Sequence, residues 1–177
     1  MNLPTILTML RIVLVAPLMI CIFIDSVPAK VAAIIIFVVA SVTDFIDGRL
    51  ARKNKQVTDL GAFLDPLADK MLINLTFLAL VALSLMPLWM FAVILVRDFA
   101  VDGMRMMIAK KGTVVSASIF GKAKTMTQMF TVILILLNRI LDLQPLYIIC
   151  TILLYIVVFL TLFSGLDYLV KGQKKLK

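Results

Sequence analysis

Apolar positions in this chain form six long runs, most of them closed by polar or turn-forming residues. The runs cover roughly 7–25, 29–52, 57–84, 86–109, 117–140 and 145–170. A helix needs about 20 predominantly apolar residues to cross the bilayer core, and every run reaches that length. Asp25-Ser26-Val27-Pro28 separates the first two, Met86-Pro87 the third and fourth, and Asp142 to Pro145 the last two. The pattern predicts an all-α integral membrane protein built as a bundle of six transmembrane helices. It leaves no stretch for a second, soluble unit, so residues 1–177 are expected to form one domain.

Composition agrees with that pattern. Of 177 residues, 63% are hydrophobic and the mean hydropathy is +1.11, whereas a soluble domain is roughly half apolar. The formal net charge is +8, and its distribution says more than its size. With the N-terminus in the cytoplasm, sixteen of the eighteen basic residues fall on the cytoplasmic side or at helix ends facing it, leaving only Lys30 and Arg139 opposite. That asymmetry predicts cytoplasmic N- and C-termini in a multi-pass cell-membrane protein. It reads as a basic face apposed to anionic lipid, not as a nucleic-acid footprint. A cleavable signal peptide is not expected, because Arg11 lies inside the first apolar run and no small-residue cleavage site follows. Cys21 and Cys150 lie within apolar runs and read as small buried hydrophobes, and the eleven methionines as packing.

Histidine and glutamate are both absent, so all ten acidic residues are aspartate. This excludes Ser-His-Asp triads and His-ligated zinc. Any general base or hard-metal ligand must be an aspartate. Four of them gather around one turn. In "TDFIDGRLAR" (43–52), Asp44 and Asp47 share a helix face, continued by Gly48 and Ala51. After a short polar stretch, Gly61, Asp65 and Asp69 recur at i, i+4, i+8. An antiparallel turn near residue 56 sets Asp47 level with Asp65 and Asp44 beside Asp69, roughly 13–20 Å below the turn at the helical rise. Pro66 is expected to kink the third segment.

Ionisable groups at membrane depth are costly and read as functional. Four close carboxylates need compensation. Arg52, Arg97 or Arg105 could supply it as a structural network, or divalent cations could, with Mg²⁺ or Mn²⁺ suited to all-oxygen ligands. The neighbouring glycines favour metal, since a purely structural cluster needs no cleft beside it.

Asp44-x-x-Asp47-Gly48-x-x-Ala51-Arg52, eight residues, then Gly61-x-x-x-Asp65-x-x-x-Asp69 resembles the signature of the CDP-alcohol phosphotransferase family, matching at eight fixed positions across 26 residues. The six-segment layout extends the likeness over essentially the whole chain. The resemblance implies a membrane enzyme with a polar, metal-containing cleft open to the cytoplasm. Such an enzyme moves a phosphatidyl group from a CDP-linked donor to a hydroxyl and releases CMP. It implies two divalent ions on Asp44, Asp47, Asp65 and Asp69, with Asp69 as the base. Gly48, Ala51 and Gly61 would admit the CDP-diacylglycerol head, Arg52 would approach its phosphates, and the protein would be a homodimer.

Arg97 and Arg105 lie eight residues apart on one face of the fourth segment, and Lys122 and Lys124 open the fifth. Cations beside a cytoplasmic cleft point to an anionic acceptor, although Lys124 could equally snorkel to headgroups. "NLPTILTMLR", "RDFAVDGMR" and "GKAKTMTQ" resemble the bacterial branch of the family that makes phosphatidylglycerophosphate from sn-glycerol 3-phosphate, with Thr5 a departure where that branch often has Asn. Asp98 and Asp102 could pair with the two arginines, and Asp167 with Lys171. The alternatives are the same donor with serine or inositol phosphate as acceptor, or a small ion-coupled transporter. The transporter lacks support, because the paired acids sit only in segments two and three and no inverted repeat is visible.

Overall fold

A computed structural model of the chain describes the backbone of residues 3–54, 59–110 and 119–176; the side chains of residues 1–5, 7, 44–67, 69, 109–118 and 169–177 lie outside the described set. Among the described residues there are six α-helices and no strand. These are α1 (Leu3–Phe23), α2 (Val27–Asn54), α3 (Asp59–Ala82), α4 (Leu88–Lys110), α5 (Ile119–Leu141) and α6 (Gln144–Leu176). They follow the six apolar runs, with α6 continuing beyond the expected end.

Each described connection between helices has a local cause. Ser26 Oγ accepts the Ala29 amide at 3.4 Å, capping the start of α2. At the end of α3, Ser84 takes φ 57°, its amide reaches the Val81 carbonyl at 2.9 Å, and the Leu85 amide reaches Leu80 at 2.8 Å. This is the Schellman arrangement, with serine at the position usually given to glycine. At the end of α5, Asp142 takes φ 49° and its amide bonds the Asn138 carbonyl at 2.8 Å, while Asn138 Oδ1 accepts the Leu143 amide at 3.1 Å.

The bundle has two unlike halves. Where α1, α3 and α5 end and α2, α4 and α6 begin, apolar side chains close tightly: Leu18, Phe37, Phe77, Met90, Leu136 and Leu154 are all buried. Helix α1 packs along both α2 and α3, α6 along both α4 and α5, and α2 along α5. Among the described residues α2 and α3 make little direct contact; the turn near residue 56, where the hairpin is expected, lies outside the described residues. The levels of Asp44, Asp47, Asp65 and Asp69 on them lie outside the described side chains. So does any effect of Pro66, through which α3 runs without interruption.

The outer surface is apolar. Val13, Val96, Phe99 and Phe159 are each about two-thirds exposed, a belt suited to lipid rather than water. Hydroxyls inside the helices donate to their own backbone, as Thr76 does to Leu72, Thr131 to Thr127 and Thr161 to Val157, each at 2.7 Å. These three hydroxyl protons are thereby kept from facing hydrocarbon. Among the described residues, Ile119–Leu141 and Gln144–Tyr168 are long and apolar enough to cross a membrane. Thr8–Phe23, Val27–Thr43 and Lys70–Ala82 are shorter apolar stretches. In α4 the cause is plain: Arg97, Asp98, Asp102 and Arg105 interrupt it from the middle onward.

Candidate functional site

The second half of the bundle opens into a cavity of about 640 Å³. Helix α4 supplies Asp98, Val101, Asp102 and Arg105, spaced i, i+3, i+4, i+7 on one face, and Arg97 joins them at its edge. Lys122, Lys124 and Gln128 come from α5, Lys70 and Ile73 from α3, Val38, Ser41 and Val42 from α2, and Tyr168 from α6. Among the described residues, five cations line the space (Lys70, Arg97, Arg105, Lys122, Lys124) against two carboxylates (Asp98, Asp102), an excess of three positive charges. Met126, Met129 and Ile133 make part of the wall apolar.

These charges are held by partners on other helices. Asp98 is 7% exposed and Lys124 3%. The Lys124 ammonium and Arg97 Nη1 both donate to Asp98 Oδ1, the latter at 3.0 Å. Lys124, buried, and Arg97, partly buried, thus share one carboxylate, and the group keeps a positive charge. Arg97 Nη2 donates to Ser164 Oγ at 2.8 Å, while its Nε is buried with no hydrogen-bond partner. Beneath it lies Gly165, where a Cβ would stand 3.1 Å from Arg97 Cγ. Arg105 donates from Nη2 to the Tyr168 hydroxyl at 2.6 Å and lies 5.1 Å above the same ring, with Arg97 6.0 Å from it. Cation–π contact of this kind aims a guanidinium while leaving its charge uncancelled. Lys70 pairs with Asp102.

All four cations expected at an acceptor site, Arg97, Arg105, Lys122 and Lys124, line this one cavity. Snorkelling is overturned for Lys124, whose ammonium is buried against Asp98 rather than reaching headgroups. Asp98 does pair with Arg97, but Asp102 pairs with Lys70 instead of an arginine, because α3 lies close to α4 there. Lys171, the expected partner of Asp167, lies outside the described side chains.

The side chains of Asp44, Asp47, Gly48, Ala51, Arg52, Gly61, Asp65 and Asp69 likewise lie outside the described set. Among the described residues no three His, Cys, Asp or Glu side chains converge as a metal site. Chain continuity still relates the two regions. Among the described residues, the cavity's α2 wall reaches Val42, two residues before Asp44, and its α3 wall includes Lys70, which follows Asp69.

Sequence reasoning did not find Ser41, Lys70, Gln128, Ser164 or Tyr168 as parts of this site. Two carried a signal. Ser41 is the one polar residue in the run 31–42, and Gln128 lies one helical turn beyond Lys124. Ser164 and Tyr168 gain their role only when α6 docks on α4.

A smaller cavity of about 250 Å³ lies at the opposite end, lined by Asn138, Arg139, Asp142 and Tyr147 among others. Arg139 Nη1 donates to the Ile22 carbonyl at 2.7 Å, completing the end of α1. Lys30, in the first turn of α2, pairs at 2.6 Å with Asp25 of the preceding connection, and this hydrogen bond and charge hold the Asp25 carboxyl below its ordinary range.

Comparison with known proteins gives a consistent result. Residues 1–163 match the sequence profile of the CDP-alcohol phosphatidyltransferase family. A Bacillus subtilis protein named CDP-diacylglycerol–glycerol-3-phosphate 3-phosphatidyltransferase is 39% identical, over 99% of this chain and 97% of its own length. A Rickettsia bellii protein of the same name is 37% identical, over 98% and 96%. A Mycobacterium tuberculosis protein named probable phosphatidylglycerophosphate synthase is 35% identical, over 98% of this chain and 82% of its own.

Proposed function

The chain belongs to the CDP-alcohol phosphatidyltransferase family, and on that premise we propose how it works as a transferase of phospholipid biosynthesis. It transfers the phosphatidyl group of CDP-diacylglycerol to sn-glycerol 3-phosphate, yielding phosphatidylglycerophosphate and CMP. The observation that carries the choice of acceptor is the excess of three positive charges among the cavity's described lining residues, with Arg105 aimed by the Tyr168 hydroxyl. A phosphate dianion fits that environment, whereas the uncharged side chain of serine leaves it uncompensated.

The donor set suits a hard cation. With no histidine or glutamate in the chain, Asp44, Asp47, Asp65 and Asp69 offer only carboxylate oxygens, which fit Mg²⁺ or Mn²⁺. Bound there, two such ions would supply the positive charge that stabilises the departing phosphate. The protein's own residues do the rest. Asp69 takes the proton from the acceptor hydroxyl, whose oxygen forms a bond to the phosphatidyl phosphorus as the bond to CMP breaks. Gly48, Ala51 and Gly61 leave space for the cytidine diphosphate, and Arg52 approaches its phosphates. Arg97, Arg105, Lys122 and Lys124 bind the acceptor phosphate, with Arg97 Nε the donor still open.

This reading places all six helices across the cell membrane as one domain, with both termini and the active site on the cytoplasmic side, as a homodimer. The apolar belt and the charge asymmetry support the placement; the dimer rests on family resemblance alone. The test is an assay of purified protein with radiolabelled CDP-diacylglycerol and glycerol 3-phosphate, serine or inositol phosphate. Labelled lipid product is expected only with glycerol 3-phosphate, and no product after EDTA until Mg²⁺ or Mn²⁺ is restored. Turnover with serine overturns the acceptor, and full activity under chelation overturns the metal.

A further inference from the structure

Gln128 is the most unusual polar residue in the cavity. It is 2% exposed, it lines the cavity from α5, and its amide nitrogen Nε2 is buried with no hydrogen-bond partner. A buried amide donor left unpaired is costly and calls for a cause. The neighbouring helices offer it none. Thr125 and Ser41, which line the same cavity, have their hydroxyls turned to their own backbones, at Gly121 (3.2 Å) and Phe37 (2.8 Å), and neither oxygen accepts from the amide. Lys124, one turn before Gln128, donates to Asp98 and, as an ammonium, offers the amide no acceptor.

We infer that Gln128 is the residue that recognises the non-reacting C2 hydroxyl of the acceptor, and so selects a three-carbon polyol phosphate over a simpler phosphate ester. The inference rests on the glycerol 3-phosphate reading above. Charge position separates hydroxyl from phosphate here. Lys122 and Lys124 precede Gln128 on α5, and it lies about 6 Å deeper than Lys124 at the helical rise. Beyond it the lining turns apolar, with Met129, Ile133 and Ile73. A dianion belongs with the cations at the mouth, and the neutral amide is left for a neutral oxygen. Glycerol 3-phosphate carries two hydroxyls, one consumed by the new phosphodiester and one that survives in product. Only the surviving hydroxyl needs a partner that holds it through the reaction. A hydroxyl both donates and accepts, so it satisfies either end of the carboxamide.

The experiment compares sn-glycerol 3-phosphate with 3-hydroxypropyl phosphate, which keeps the phosphate and a primary hydroxyl but lacks the C2 oxygen. Both are assayed at saturating CDP-diacylglycerol with the full-length protein and with Gln128→Met and Gln128→Ala. The wild type is expected to favour glycerol 3-phosphate by about tenfold or more in kcat/KM, the scale of one buried hydrogen bond. Gln128→Met should lose about tenfold with glycerol 3-phosphate and change little with the deoxy analogue, so that the preference disappears. A parallel loss with both acceptors, at unchanged thermal stability, would make Gln128 a packing residue and overturn the inference. So would a wild type that accepts both substrates equally, a result that depends on no variant folding. Absence of turnover with either acceptor would instead sink the activity reading on which the inference stands.

Discussion

Arg105 and Arg97 show how much of an arginine's use lies in what aims it. Arg105 is directed by the Tyr168 hydroxyl and ring, with its charge left available. A charge-assisted contact to phosphate is worth about 1.5–3 kcal/mol, so Arg105→Ala should raise the KM for glycerol 3-phosphate by about 10- to 150-fold. The donor KM should move much less. Tyr168→Phe removes only the aiming hydrogen bond and should cost several-fold, by the scale of a neutral hydrogen bond of about 1 kcal/mol. Arg97 is set instead by a missing side chain. A Cβ at Gly165 would meet Arg97 Cγ at 3.1 Å, whereas one at Gly103 would meet nothing within 4 Å. Gly165→Val should therefore lower kcat/KM for the acceptor. Gly103→Ala should leave activity unchanged and raise thermal stability, because alanine is favoured over glycine in a helix by about 0.8–1 kcal/mol. Equal effects at both sites would mean that Gly165 has no bearing on Arg97. Neither Gly165 nor Tyr168 could be singled out from sequence, since each matters only for what α6 meets on α4. The aspartate signature was legible because its spacing is local and falls within or beside a single turn.

Between elements, burial decides which ion pairs hold helices together. The Lys124 and Asp98 side chains are 4% and 9% exposed, joining α5 to α4, while Lys70 and Asp102, joining α3 to α4, are 28% and 34% exposed. Removing one member of a buried pair strands its partner and costs about 3–5 kcal/mol. A partly exposed pair is worth about 0–1 kcal/mol. Asp98→Ala should thus markedly lower the thermal midpoint in detergent, with two cations left uncompensated, and Asp102→Ala should lower it little. Similar losses from both would refute this ranking. The helices and their ends could be read from the chain, because Pro28, Pro87 and the polar clusters act within a few residues. The partner of Asp102 could not. An i, i+3 rule along α4 offers Arg105, and only the approach of α3 supplies Lys70.

At the scale of the whole molecule, the two cations that break the charge asymmetry both have local work. Lys30 holds Asp25, and Arg139 completes the end of α1. The orientation drawn from the other sixteen is therefore not opposed by free positive charge on the far side. With Cys21 and Cys150 replaced by alanine, Leu143→Cys should react with a membrane-impermeant thiol reagent on intact cells, and Lys174→Cys only after lysis. The reverse pattern would invert the topology. The cavity described above has a charged mouth and, in Met126, Met129 and Ile133, an apolar flank. A substrate with acyl chains can enter along that flank without leaving the bilayer, so the enzyme meets its donor as a surface density, not as a bulk concentration. Inert detergent added at constant total donor should then slow turnover by spreading the lipid over more interface, while dilution with buffer at constant composition should not. Membrane composition itself thereby becomes a rate variable for this reaction, set by the cell each time it alters its lipids.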